Sequence, residues 1–168
     1  MSTEVSPAEM TFRNAMARFA SGVTIVTTKN RDGAPVGFTA SAFSSLSLHP
    51  PLLLVCLQKD ADCYAAFMET EHFAVSILSR GQDDIARRFA TKNVDKWDGT
   101  PVIDGERTRL PLIDGASALT ECLMLDRVDA GDHTILIGEV ISADSNDLDP
   151  LLHFNRQFGR FVGEEPSL

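Results

Sequence analysis

Apolar positions along the 168-residue chain recur with two periods, and the changes from one to the other mark out its elements. Phe12, Met16 and Phe19 fall four and three apart with Arg13, Asn14 and Arg18 turned elsewhere, which is the stripe of a short amphipathic helix. Its start is signalled by Ser6 as cap, Pro7 at the first helical position and Glu9 placed to return a bond to the cap. Gly22 stops it, and residues 23–28 are dense in β-branched side chains, so the period falls to that of a strand. Asn30-Arg31-Asp32-Gly33 then offers a turn, completing a first hairpin. Residues 36–48 are rich in Ser and Thr. Six apolar residues in a row at 52–57 predict a strand buried on both faces.

A helix is expected over about 60–70, capped by Asp60, with Tyr64, Phe67 and Met68 inward. A strand at 73–78 follows, and Ser79 with Gln82 forms a second capping-box pattern before a helix carrying Ile85 and Phe89, with Arg87 and Arg88 between them. Residues 91–115, rich in Asp, Gly, Pro and Lys, read as irregular surface chain able to carry function. Strands at 119–128 and 134–143 form a hairpin with the charged tip 129–133, and 151–158 is a last strand. Residues 1–5 and 162–168 are expected to fray around a core of about 12–161. Strands outnumber helices without alternating with them, so an antiparallel sheet or barrel with a few peripheral helices is predicted over a doubly wound fold. Length and 43% apolar content fit one domain, 1–168.

Composition narrows the partners. Twenty-four acidic against 15 basic residues give a net charge of -9, which repels both a phosphate backbone and an anionic bilayer. No nucleic acid and no membrane partner is expected, and no apolar run approaches the ~20 residues of a membrane span. The N-terminus lacks the basic start and apolar stretch of a secretory signal, and Cys56, Cys63 and Cys122 form no C-x-x-C pair, so a cytoplasmic protein is expected. His49, His72, His133 and His153 are far apart without metal-site spacing, and no metal is assigned. Neither G-x-G-x-x-G, a phosphate-binding G-x-x-x-x-G-K nor a G-x-S-x-G elbow occurs.

Two segments carry candidate chemistry. Residues 37–45 combine a flexible glycine, small side chains that let a flat ligand approach the backbone, and hydroxyl groups that could bond to it. Composition alone favours a polar strand with ordinary turn serines. Gly131-Asp132-His133 lies at a hairpin tip, where an exposed histidine is commonly idle.

The ordered set of short motifs says more than either segment. Phe12-Arg13-Asn14-Ala15-Met16, Ser21-Gly22-Val23-Thr24, Gly37-Phe38-Thr39-Ala40-Ser41, Ser45-Leu46-Ser47, Pro50-Pro51-Leu52, Arg88-Phe89-Ala90, Asp95-Lys96-Trp97, Gly131-Asp132-His133-Thr134-Ile135 and Gly138-Glu139-Val140 occur in this order. Together they resemble the short-chain flavin reductases, the reductase half of two-component flavin-dependent monooxygenases. The resemblance implies an FMN-binding split barrel, an antiparallel Greek-key barrel with a few peripheral helices, paired as a homodimer. It implies bound flavin, FMN or FAD, reduced by NADH or NADPH and passed transiently to a monooxygenase component.

By the same resemblance Thr39, Ala40, Ser41 and Ala42 line the flavin ring. Cys56, Leu57, Gln58, Lys59 and Cys63 hold the ribityl chain and phosphate, helped by Phe89 and Lys96. Where relatives carry a hydroxyl residue this chain has Cys63, a weaker donor. Cys56 and Cys122 read as small core residues. His133, and more weakly Arg156, are assigned to the nicotinamide dinucleotide; a solvated Arg156 on the last strand is the alternative. No catalytic acid or base is required, because hydride transfer asks the protein only to stack, orient and exclude water. Two other readings stay open: a split-barrel protein that stores or senses flavin or haem without turnover, and a flavin-mediated reductase of another acceptor such as ferric iron or a nitro compound.

Overall fold

The computed structural model describes residues 5–164; of the ends expected to fray, 1–4 and 165–168 lie outside the described residues. Helix α1 (Pro7–Met16) forms with its full capping box, Glu9 N donating to Ser6 Oγ at 3.2 Å and Ser6 N to Glu9 Oε2 at 2.6 Å. It ends at Met16, short of the expected stop at Gly22, so Phe19 lies beyond it, and the apolar stripe stays outside this chain's core, with Phe12 65%, Met16 54% and Phe19 78% exposed.

After β1 (Ser21–Gly22), strands β2 (Thr24–Lys29) and β3 (Pro35–Ala40) make the first hairpin. In β2 every residue but Lys29 is buried, so this strand is covered on both faces. Its threonines persist there because each hydroxyl finds a carbonyl: Thr24 donates to Ala40 O, Thr27 to Pro111 O and Thr28 to His72 O, at 2.8, 2.6 and 2.8 Å. β4 (Phe43–Leu48) leads to β5 (Pro51–Gln58), whose apolar run corrects the expectation of burial on both faces. Leu53, Val55 and Leu57 are buried while Leu52, Leu54 and Cys56 are only half-buried, because the helices lie over β2 and β3 instead. Cys56 is therefore no core residue, unlike fully buried Cys122.

Helix α2 (Tyr64–Glu69) begins four residues later than expected, after Cys63, which makes no side-chain cap bond. Asp60 does not cap it; its carboxylate pairs with Lys92 at 2.9 Å. β6 (His72–Ile77) precedes α3 (Asp83–Ala90). Half of the second capping box forms: Ser79 N donates to Gln82 Oε1 at 3.0 Å, but Ser79 Oγ donates to Gly115 O at 2.6 Å and the helix starts after Gln82. Nor is 91–115 irregular throughout. It contains the antiparallel pair β7 (Val102–Asp104) and β8 (Pro111–Ile113), and β8 is wholly buried, with Ile113 N donating to Ser76 Oγ at 2.9 Å.

β9 (Ala118–Ala130) and β10 (His133–Ser145) form the long hairpin with two register shifts. Its turn passes through Gly131 at φ +63°, which glycine adopts without a Cβ clash. At Gly138 a Cβ would stand 2.5 Å from Phe73 Cζ, so the bulge there needs a residue without a side chain. Glu121 on β9 is 2% exposed, and its carboxylate accepts from Thr108 N and Thr108 Oγ1, both at 2.6 Å, and from Arg107 N at 3.1 Å, tying the β7–β8 loop to the sheet. The expected single last strand is two, β11 (Leu151–Phe154) and β12 (Gln157–Arg160), because Asn155 and Arg156 take φ 48° and 64°, the paired left-handed conformation of a tight hairpin.

One seven-stranded antiparallel sheet, ordered β3-β2-β6-β9-β10-β5-β4, dominates; β1, β11 and β12 form a small second sheet. The outermost strands β3 and β4 are consecutive in the chain, separated by Ser41 and Ala42 alone. The three Cα steps from Ala40 to Phe43 span at most about 11 Å, so the sheet must curl until its edges nearly meet. This is the split barrel, open rather than closed, with three peripheral helices among the described residues. Phe38, Leu53, Val55, Leu57, Phe67, Phe73 and Leu136 fill it. A second core, including Ile25, Leu78, Phe89 and Ile113, glues α3 and β8 to the outside. The split places Thr39 to Ala42 opposite the end of β5.

Candidate flavin site

At the split lies a cavity of about 300 Å³, within the range that takes a small cofactor. Thr39, Ala40, Ser41 and Ala42 form one wall, and Cys56, Leu57, Gln58 and Cys63 the facing one, while Phe89 and Lys96 close one side and His133 another. The structure thus brings together eleven of the thirteen residues assigned from the sequence. Thr39 is fixed by its hydroxyl, which donates to Ala86 O of α3 at 2.6 Å and ties β3 to that helix. Phe89, 1% exposed, meets Trp97 edge-on at 5.1 Å between ring centres, which brings the 91–97 segment over the cavity.

Lys59 and Arg156 do not join this cavity. The Lys59 ammonium pairs with Asp129 and donates to Gly131 O at 2.7 Å, and Lys59 N donates to Asp132 O at 2.9 Å. It therefore straps the β9–β10 tip to the β5–α2 loop; the Asp129 hydrogen bond holds its ammonium above the usual lysine range. Arg156 sits on the β11–β12 turn, where it donates to Asn14 Oδ1 at 2.7 Å. It lines a neighbouring groove of about 590 Å³ under α1, which shares Ser41 and Ala42 with the cavity.

The cations in the cavity are Lys92 and Lys96. Lys92 had no sequence signal, since its partner Asp60 and the cavity are brought to it only by folding. Lys96 Nζ donates to Gly37 O at 3.3 Å. Among the described residues, the amides of Ser41 and Ala42 at one end, and of Asp62 and Cys63 near the lysines, donate no hydrogen bond to another residue, the Cys63 amide meeting only its own thiol. Unpaired backbone donors beside a concave surface are what a ligand with polar edges satisfies.

A flavin fits this arrangement: small side chains and two free amides suit a flat ring with a polar rim, and two free amides with two ammonium groups suit a phosphate. Burial pushes the Cys63 thiol up to about 11 against the opposing pull of Lys96, so it stands in the wall as a neutral thiol. Burial likewise raises Cys56. His133 Nδ1 lies 2.7 Å from Asp132 Oδ1, and the hydrogen bond to His133 holds that carboxyl below the usual aspartate range. This contact fixes the ring so that Nε2 is the free nitrogen. Among the described residues no group of three or more His, Cys, Asp or Glu side chains could hold a metal ion, and no helix is long and apolar enough to cross a membrane.

Comparisons with known proteins agree with this geometry. The family described as flavin reductase like domain matches residues 16–161. The chain is 43% identical over 152 residues to the NADH-dependent FMN reductase of Agrobacterium fabrum, covering 89% of this chain and 84% of that protein. It is 44% identical over 147 residues to the actinorhodin polyketide dimerase of Streptomyces coelicolor, covering 87% and 82%. Among solved structures, the NADH:FAD oxidoreductase of Streptomyces globisporus, in complex with NAD and FAD fragments, superposes with a TM-score of 0.87 at 39% identity over 96% of this chain and 98% of that one.

Proposed function

Because the chain belongs to the flavin reductase-like family, we propose that the cavity at its split is where a flavin takes hydride from a reduced nicotinamide dinucleotide. The activity is NAD(P)H-dependent flavin reduction, supplying reduced flavin to a separate monooxygenase. The observation that supports the site is the convergence of Thr39 to Ala42, Lys92, Lys96 and His133 on one cavity.

When bound, the flavin supplies the hydride acceptor. The protein's residues do the rest. Ser41 and Ala42 amides hold the polar edge of the ring, while Ala40 and Leu57 keep its bed dry. Lys92, Lys96 and the Asp62 and Cys63 amides hold the phosphate. His133, oriented by Asp132, stands at the cavity edge to meet the nicotinamide dinucleotide. No residue needs to carry a proton in the transfer; orientation and water exclusion suffice.

The exposed stripe Phe12, Met16 and Phe19 lies along the groove that adjoins the cavity, and it supports pairing of two chains as a homodimer across that face. Three free cysteines fit a reducing cytoplasm. The reading is tested by oxidation of NADH and NADPH, followed by loss of absorbance, with FMN and FAD each varied. Rapid oxidation that saturates with flavin supports it, and His133→Ala should raise the nicotinamide KM while leaving flavin affinity intact. Absence of oxidation with every pair would favour storage, and unchanged kinetics in His133→Ala would remove that residue from the site.

A further inference from the structure

On a chain of net charge -9, four arginines, Arg80, Arg87, Arg156 and Arg160, line one open groove of about 620 Å³ between α3 and β12, and Asp83 is the only carboxylate among its lining residues. All four are exposed. Arg87 reaches Asp83 at 3.5 Å and Arg156 gives one nitrogen to Asn14 Oδ1, while the Arg80 and Arg160 guanidinium groups make no hydrogen bond or ion pair among the described residues. Like charges gathered in this way repel one another until an opposite charge covers them.

Strand pairing fixes their order along the groove. Leu151 of β11 lies opposite Arg160, and Arg80 N donates to Asp149 O at 2.7 Å, so Arg80 and Arg160 share one end. In the middle the Arg87 guanidinium stands 4.8 Å from the Phe158 ring centre. Arg156, on the β11–β12 turn, marks the other end. Phe158 packs on the core that α3 shares, and Arg160, two residues on, points to the same face. At about 3.3 Å per residue, positive charge therefore recurs about every 6.6 Å over roughly 13 Å, the repeat of side chains on one face of an extended chain. A single phosphate cannot span such a row.

β12 is also a sheet edge: it pairs with β11 alone, and among the described residues no other backbone hydrogen bond reaches it. Phe154 and Gln157 close the two-residue turn as a hydrogen-bonded pair, so by antiparallel alternation Phe158 and Arg160 aim N–H and C=O at the open side. We propose that this edge and groove dock an extended acidic segment of a partner protein, added as a strand along β12 with Asp or Glu at every second position facing Arg156, Arg87 and Arg160. No residue lining the groove lines the flavin cavity, so the docking site stands or falls apart from the flavin reading.

A labelled, end-blocked peptide in which three aspartates alternate with threonines, titrated with the full chain and followed by fluorescence anisotropy, tests this. Its isomer with the three aspartates consecutive carries equal charge without the spacing. The alternating peptide should bind at least about fivefold more tightly than the isomer, and N-methylating its amides that face β12 should weaken it at least about tenfold. An exposed ion pair is worth up to roughly fivefold in affinity and a reversed charge adds repulsion, so Arg160→Glu should weaken binding about tenfold, with circular dichroism and flavin binding unchanged. No binding, equal affinity for the two isomers, full binding after N-methylation, or tripolyphosphate displacing the peptide better than the isomer does would overturn the docking site. Slower sedimentation of Arg160→Glu would place a second copy of this chain in the groove and overturn it too.

Discussion

Replacing Glu121 by Gln isolates the one buried carboxylate that holds the 105–108 loop on the sheet. In the native protein four hydrogen bonds converge on two oxygens from Arg107 N, Thr108 N and Thr108 Oγ1. Glutamine keeps one oxygen acceptor and turns an NH₂ toward donors, so at least one charge-assisted bond is lost and a donor opposes a donor. Such a bond contributes roughly 1.5–3 kcal/mol, and for a domain of this size each kcal/mol shifts Tm by roughly 2–4 °C. The expected drop is therefore roughly 3–12 °C at neutral pH. Burial raises the Glu121 pKa, but the Thr108, Arg107 and Glu106 hydrogen bonds outweigh it and hold the carboxyl below the usual glutamate range. A carboxyl with a lowered folded pKa contributes stability that is complete above its unfolded value, roughly pH 4.3, and is lost as pH falls through the folded value. The gap between wild type and Glu121→Gln should thus be widest at neutral pH and close in acid, where the native side chain is also neutral. Thermal melts followed by circular dichroism across that range test it. A gap that stays constant with pH, or no gap at neutral pH, would refute the reasoning.

Other perturbations read other parts of the structure. Gly138→Ala drives a Cβ into Phe73 and, at 2.9 Å, into Cys122 Cβ, and should cost about 1–3 kcal/mol in a denaturant titration, with Phe73→Leu recovering part of it in the double variant. Lys59→Met frees the His133-bearing tip, so the nicotinamide KM should rise severalfold with flavin affinity unchanged and Lys59→Arg should restore it; an equal loss of flavin affinity would return Lys59 to the phosphate. Lys92→Ala with Lys96→Ala should weaken flavin binding at least tenfold and flatten its salt dependence, both read by titrating flavin fluorescence. Phe12→Glu should leave the fold intact by circular dichroism and shift sedimentation toward a monomer if α1 faces a second copy.

Local periodicity and caps were legible wherever one segment settles its own structure. The Ser6–Glu9 box, the β-branched run of β2, and the long β9–β10 hairpin with Gly131 at its turn all follow from neighbours in the chain. Misreadings arose where a distant partner decided. Asp60 resembles a helix cap but is drawn to Lys92, thirty-two residues on, and Ser79 gives its hydroxyl to Gly115. Residues 111–113 are too short a run to announce a buried strand, yet the Ser76 and Thr27 hydroxyls pin them to the sheet.

For the site, eleven of its lining residues came from the family resemblance that the ordered motifs carry; the local pattern of small residues at 39–42 and a histidine at a hairpin tip favoured ordinary strand and turn roles. Which cation faces the cavity could not be read that way. A lysine side chain reaches in any direction its backbone allows, and Lys59, adjacent to the site in sequence, is turned away by Asp129 and the Gly131 carbonyl. Lys92 arrives from the far end of α3. Sequence alone thus determined the strand-rich fold class, since propensity, turns and caps are local, and its ordered motifs, through the family resemblance, the segments that carry chemistry. Tertiary structure alone decided which charges share the cavity, because the curl of the sheet brings its two edges together there and long-range pairing chooses each side chain's direction.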